Sequence, residues 1–342
     1  MIYSSSSIYA MEKYRDSLFF LKRHVSFLLI GIILTFFMMS FDYRKLRKYS
    51  KPLFIFSLLL LVLVLVPGVG REVSGARRWF RFKFLSFQPS EFANLALIIY
   101  TSDFIARKSG VVRDFLKGFI PPMVSLGAVL LLVLIQPDLG TAVSLAAVIL
   151  LMLFIAGVRA TYLVSLALAG LPVLYALIFS VPYRRARILA FLNPWLDPRG
   201  SGFQIIQSQV ALGSGGIFGV GLGQSKQKLF YLPAAHTDFI FSIIGEELGI
   251  IGTLAVVVLF LVFLRQALKI IKNTADKFGH FLSIGLVLMI MFKAVINIGV
   301  SCGLLPTKGL PLPFISYGGS SFIFDMISVG LLLNIARTGE YP

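Results

Sequence analysis

The sequence predicts an all-α, polytopic integral membrane protein: nine transmembrane helices and one large extracytoplasmic loop, residues 182–238, within a single membrane domain over 1–342. Three observations predict it. Of the 342 residues, 57% are hydrophobic and only 14% are charged, whereas soluble domains stay near half apolar. The apolar residues come in blocks, most of them close to the ~20 residues a bilayer-spanning helix needs. None of the blocks has the short alternating pattern of a membrane β-barrel, and helices are the other structure that satisfies its own backbone in lipid.

The blocks are 24–41, 53–67, 90–107, 119–136, 140–157, 161–181, 239–264, 281–301 and 316–336. The second is short and ends at Pro67. The fourth and fifth are joined by Gln136-Pro137-Asp138-Leu139-Gly140, a turn built from residues that bend the backbone easily. No internal repeat stands out, so the sequence gives no support to an inverted-repeat transporter. Residues 1–17 are polar and lack the apolar segment of a cleavable signal.

The net charge is +17. In a soluble protein that balance points to nucleic acid. In a membrane protein it sets topology and meets anionic headgroups, and no nucleic-acid partner is expected. The loops 42–52, 106–118, 158–160, 265–280 and the tail after 336 carry nearly as many Lys and Arg as the opposite set. Setting aside the long 182–238 loop leaves the first set ahead. Short loops govern orientation, so this set is expected to be cytoplasmic and Asp238 to lie outside. A single cysteine, Cys302, excludes an internal disulfide, and the three histidines lie far apart, without zinc spacing.

The chemistry concentrates at FYLPAAHTDFIFSIIGEELG, residues 230–249. Asp238 stands at the edge of the seventh block. It can be a helix cap, kept ionised by the helix dipole, or a general base taking a proton from a sugar hydroxyl. A dipole-lowered pKa would make it a weaker base. Ser242, Gly245 and Gly249 share its helical face, either for close helix packing or as a groove for a lipid tail. Glu246 and Glu247 point elsewhere, at about 80° and 180° round the helix. Together with Glu91, Asp103, Lys293 and Asp325 they are intramembrane polar groups, which mark function or a buried structural ion pair.

The loops GARRWFR (75–81), YRRAR (183–187) and GSGGIFGVGLGQSKQK (213–228) offer Arg78, Arg184, Arg187, Lys226 and Lys228. Cations and exposed N–H groups suit a pyrophosphate, although plain solvated charge gives the same composition. The glycines match no nucleotide-binding fingerprint. In LPTKGLPLPFISYGGSS (305–321), Ser316 and Ser320 stand at a helix entry, as hydroxyl donors of a cavity wall or as small packing residues.

These segments, with FQPSEFANL, QPDLGTA and RILAFLNPWLDPRGSGFQIIQSQVALGSGG, carry a resemblance that runs the whole chain. The sequence resembles the SEDS family (shape, elongation, division and sporulation), and within it the division branch more than the elongation or sporulation branches. The resemblance implies a peptidoglycan glycosyltransferase that polymerises lipid II at the outer face of the bacterial plasma membrane, at the septum. It implies a class B penicillin-binding protein as transpeptidase partner, and other membrane proteins of the division machinery. It carries the essential aspartate onto Asp238. It implies ten spans with both termini cytoplasmic, the first helix being absent from this chain. The family usually has Lys at Asn94 and an uncharged polar residue at Lys293.

The mechanism so implied is an inverting glycosyl transfer. Asp238 deprotonates the acceptor hydroxyl, and the cations stabilise the leaving pyrophosphate. No compact acidic metal site is visible, so any Mg or Mn is expected to be bridged by the substrate's pyrophosphate. Two rival readings stand beside it: a lipid II flippase using Glu246, Glu247 and Asp325, and a non-catalytic division scaffold.

Overall fold

The computed structural model describes residues 1–73, 76–81, 86–228, 232 and 236–339. Parts of the 75–81, 82–89 and 229–235 sequence segments therefore lie outside the described residues. Each of the nine apolar blocks is a helix: α2 (Phe19–Ser40), α3 (Arg44–Leu63), α4 (Pro89–Lys108), α5 (Ile120–Ile135), α6 (Leu139–Ile155), α7 (Ala160–Phe179), α10 (Ile240–Asn273), α11 (Lys277–Ser301) and α12 (Gly319–Gly339). The protein is an all-α, multi-pass membrane protein. Among the described residues six helical stretches are long and apolar enough to cross a bilayer, and α6 is a shorter apolar helix. Helix α3 opens with five basic residues in its first eight, RKLRKYSK, and α4 carries Glu91 and Asp103. Those charges make the two helices less apolar than the rest.

Several segments expected as loops are ordered. The first residues form α1 (Ile2–Tyr14), where Ser6 Oγ donates to the Ile2 carbonyl at 2.6 Å. The 182–238 loop contains α8 (Pro182–Leu192) and α9 (Phe203–Ser214). The 265–280 loop shrinks to a short link, because α10 runs to Asn273 and α11 starts at Lys277. Arg265, Lys269 and Lys272 are spaced by four and three, so a helix carries all three charges on one wet face. The 68–89 loop holds three short antiparallel strands, β1 (Arg71–Val73), β2 (Ala76–Arg81) and β3 (Ser86–Phe87), in that order.

The chain folds as two compact units. The first comprises Met1–Ser26, Ala167–Phe263 and Lys293–Gly318. Its defining feature is a break in α10 at Gly249, where φ is +67°. Only glycine adopts that conformation without strain, and the break frees backbone groups that must find other partners. The glycine-rich run after α9 supplies them. Val220 N–H donates to the Glu246 carbonyl (2.9 Å) and Gly221 N–H to that of Glu247 (3.1 Å), while Ile250 N–H donates to the Gly216 carbonyl (3.0 Å). A Cβ on Gly215 would stand 1.9 Å from the Gly245 carbonyl oxygen, so the two backbones touch where side chains cannot fit.

The second unit comprises Phe27–Leu166, Leu264–Phe292 and Gly319–Pro342. The Ser320 hydroxyl donates to the Ser86 carbonyl (2.7 Å) and accepts from Gln88 N–H (2.9 Å), joining the sheet and the start of α4 to α12. At the other end of α12, Asn334 donates to the Met39 carbonyl (2.7 Å) and accepts from Tyr43 N–H (3.1 Å).

Candidate active site

Asp238 lies in the turn just before α10, beside Phe239. Phe239 is buried in an apolar cluster with Leu232, Ile243 and Val300. That packing fixes the backbone on which the carboxylate stands. Asn297, buried within α11, adds two polar clamps. Its amide donates to the Asp238 carbonyl at 2.9 Å and to the Leu310 carbonyl at 2.7 Å. The 305–318 segment is thereby drawn to the turn. Ser316 finishes the joint: its hydroxyl donates to the Thr237 carbonyl (2.6 Å) and accepts from Leu312 N–H (2.8 Å).

The carboxylate itself is half-buried and sparsely bonded. Burial pushes its pKa up from 3.8 to about 6; the nearby Arg187 charge and a hydrogen bond with Thr237 pull the other way without cancelling the rise. A base near 6 is still mostly ionised at neutral pH and is a better proton acceptor than an ordinary aspartate. The weakness expected from a dipole-lowered pKa is thus reversed by desolvation. One flank is kept clear by Gly309, where a Cβ would come within 3.0 Å of Oδ2.

Arg187 reaches this site from α8. Its Nη1 donates to the Thr307 carbonyl (3.1 Å), and the guanidinium lies over the Tyr183 ring at 4.4 Å. His236 closes another side. Its ring sits 4.7 Å from Phe20, 5.6 Å from Tyr9 and 5.9 Å from Tyr317. Burial, aided by Lys13, lowers its pKa to about 4. His236 is therefore neutral at physiological pH and serves as wall rather than charge.

The other residues singled out in the sequence fall as follows. Arg184 donates to the Leu177 carbonyl at 2.9 Å. Glu246 is buried and bonded to the loop before it: it accepts from the Ser225 hydroxyl, from Lys226 N–H at 2.9 Å and from Gln227 N–H at 3.4 Å. The Lys226 side chain stays exposed. Glu247, fully buried, accepts from the Ser4 hydroxyl and pairs with Lys228 at 3.3 Å. Lys228 is thus held inside the first unit by a carboxylate. Lys293 is buried in the same unit. The small-residue face of α10 is filled by protein. Ser242 and Ser208 hydroxyls meet at 2.6 Å, and Ser208 donates to the Ser301 carbonyl at 2.7 Å.

In the second unit, Arg78 donates to the Gln136 carbonyl (2.8 Å) and the Pro137 carbonyl, and lies 3.9 Å from Asp138. Ser320 bonds to the sheet as described. Glu91 and Asp325 are buried there. Sequence reasoning missed Asn297 and Gly309. A lone amide inside an apolar helix was the available signal for the first; nothing marked the second among 30 glycines.

Residues 1–341 match the family described as "Cell cycle protein", FTSW_RODA_SPOVE. The chain is 48% identical over 336 residues to a protein of Geobacter metallireducens called "Probable peptidoglycan glycosyltransferase FtsW", covering 98% of this chain and 90% of that protein. It is 46% identical over 341 residues to "Stage V sporulation protein E" of Bacillus subtilis, covering 100% and 93%. Among solved structures, a chain of a peptidoglycan synthase complex, described as coordinating polymerization and crosslinking, superposes with a TM-score of 0.80 at 32% identity, covering 99% and 96%. The rod shape determining protein RodA of Thermus thermophilus gives 0.69 at 29%, covering 100% and 94%.

Proposed function

Since the chain belongs to the FtsW, RodA and SpoVE family of cell cycle proteins, we propose that it is an inverting peptidoglycan glycosyltransferase that polymerises lipid II, with Asp238 as general base. The observation that carries this reading is the state of that carboxylate: half-buried, clamped through its backbone, sparsely bonded through its side chain and raised to about 6. Asp238 accepts the proton of the acceptor sugar's 4-hydroxyl as that oxygen attacks the anomeric carbon of the donor. The bond to undecaprenyl pyrophosphate breaks on the opposite face, and the configuration inverts. Arg187 and the exposed Lys226 are the first unit's cations for the departing pyrophosphate. Lys228 is engaged with Glu247.

A divalent cation enters this proposal only as a companion of the substrate's pyrophosphate. Among the described residues no three His, Cys, Asp or Glu side chains gather to hold an ion, and Asp238 faces a guanidinium. We therefore route no step of the proposal through a resident metal. The partner in this reading is a class B penicillin-binding transpeptidase, with other division membrane proteins beside it. The solved relative's membership of a synthase complex supports that. We place Asp238 at the extracytoplasmic face of the plasma membrane, at the septum; the basic short loops on the opposite side support the orientation.

The test is reconstitution of the purified chain with its partner in liposomes containing lipid II. Wild type makes glycan polymer, and Asp238→Asn makes about 10²–10⁴-fold less while inserting normally. Lipid II translocation without polymer in the wild type would replace this reading with the flippase.

A further inference from the structure

The second unit holds a cavity of about 450 Å³ that the glycosyl transfer does not use. It is lined by Arg44, Arg47, Lys48, Ser50, Lys51, Asp103 and Arg107. Five cations thus surround one carboxylate. Asp103 is buried, and each of its oxygens is committed. Arg107 grips it with two nitrogens, each at 3.0 Å; Arg47 donates at 3.2 Å and Ser50 at 2.6 Å. A forked arginine–carboxylate contact fixes a guanidinium plane. Asp103 therefore acts as the brace that holds two arginines in the wall, and it cancels only one of the five charges. Lys48 and Lys51 are exposed and make no ion pair among the described residues.

The level of the cavity identifies the occupant. Beyond Lys51, α3 continues as PLFIFSLLLLVL, without a charge. On α4, Phe92 to Ile105 is apolar or uncharged except for the brace, and the helix turns basic at Arg107 and Lys108. Both helices change from apolar to basic at the same height, which is where a bilayer's phosphates lie. A concave set of four uncancelled cations at headgroup depth matches a phosphate diester.

We propose that this cavity is a binding site for the phosphate of an anionic lipid headgroup, with Arg47 and Arg107 as its fixed wall and Arg44, Lys48 and Lys51 as its closing side.

The test uses the full chain purified in neutral detergent, with phosphatidylglycerol added and bound lipid counted by native mass spectrometry. Lys48→Gln/Lys51→Gln is compared with Lys269→Gln/Lys272→Gln, which removes the same charge from exposed positions on α10. Wild type and the α10 variant retain the lipid; the cavity variant loses about tenfold or more, and Lys48→Arg/Lys51→Arg restores it. Arg44→Gln, a single change on the same closing side, should lose the lipid likewise and serves should the double variant not fold. Equal retention in all proteins overturns the site, as does equal loss in the two double variants, which would mean undirected surface charge. If inorganic phosphate without lipid raises the melting temperature in a Lys48- and Lys51-dependent way and phosphatidylglycerol does not, the occupant is a soluble anion and the headgroup assignment falls.

Discussion

Asp238 and Glu246 stand eight residues apart at the same end of α10, and the chain treats them in opposite ways. Glu246 accepts from a hydroxyl and two backbone N–H groups. Its carboxylate is spent on pinning the loop that repairs the broken helix. Asp238 is clamped instead through its backbone carbonyl, by Asn297, and its side chain keeps lone pairs to spare. Buried polar groups are normally satisfied, and one left under-bonded is available for another molecule. Asp103 in the second unit sides with Glu246, since both its oxygens are taken. The burial of an acid in this protein therefore says little about its role; between Asp238 and Glu246 it is the count of donors on the oxygens that differs, and that difference is what the proposed base role rests on.

The sharpest break of that contrast is the pair Asp238→Asn and Glu246→Gln. Glycan synthesis falls about 10²–10⁴-fold in the first without loss of folded protein. Melting followed by intrinsic fluorescence adds a sign. An acid raised from 3.8 to about 6 ionises first in the unfolded chain. The native state thus loses stability as pH rises from about 4 to 6, and that loss persists above. Asp238→Asn should raise the melting temperature at pH 8 and leave it unchanged near pH 4. A lower melting point at pH 8 would mean that the charged Asp238 carboxylate supports the fold.

Next in size is Gly309→Ala. The added methyl meets Oδ2 at 3.0 Å, tighter than an ordinary contact, so the carboxylate must turn or the loop must move. Misplacing a reacting group by a fraction of an ångström to an ångström costs up to about 10²-fold. Polymerisation should drop within that range with the melting temperature nearly unchanged. Full activity would show that this flank is not where the acceptor approaches.

The helices were legible in the sequence because lipid demands continuous apolar blocks, and Asp238 because an acid at a span's edge is rare enough to notice. What stayed hidden depends on distant contacts. The break at Gly249 needs the backbone of residues 215–221 to replace the lost hydrogen bonds, and nothing local to α10 shows that partner. Lys228 reads as a free cation until Glu247 is found 3.3 Å away. Arg78 sits in a basic run that resembles an anion site, yet its donors go to the carbonyls of the 136–137 turn. The small face of α10 was equally compatible with a lipid groove or a packed neighbour, and only the Ser208–Ser242 contact decides for packing. The sheet at 71–87 escaped because its strands are two to six residues long, too short for alternation to register.

A smaller effect sharpens the electrostatics of Asp238. Activity that requires its ionised form should fall about tenfold per unit as pH drops below about 6 and level off above. Arg187 holds that pKa down, so Arg187→Gln should move the limb to higher pH. Arg187→Lys should move it back, because the charge returns even though the Thr307 and Tyr183 contacts do not. A limb that stays in place in both variants would assign Arg187 to the phosphate alone.

The smallest effect on turnover belongs to the loop anchor, and it tests the other half of the contrast. Ser225→Ala removes one donor from a buried carboxylate that still accepts Lys226 and Gln227 N–H. Leaving a buried acceptor short typically costs about 1–3 kcal/mol, which thermal melting in detergent would register. The chemistry at Asp238 loses no contact, so the rate per folded molecule should stay within about twofold at saturating lipid II. Were Ser225→Ala instead to cut the rate as Asp238→Asn does while melting normally, Glu246 would have to be counted among the working acids, and donor count would not be what tells the two carboxylates apart.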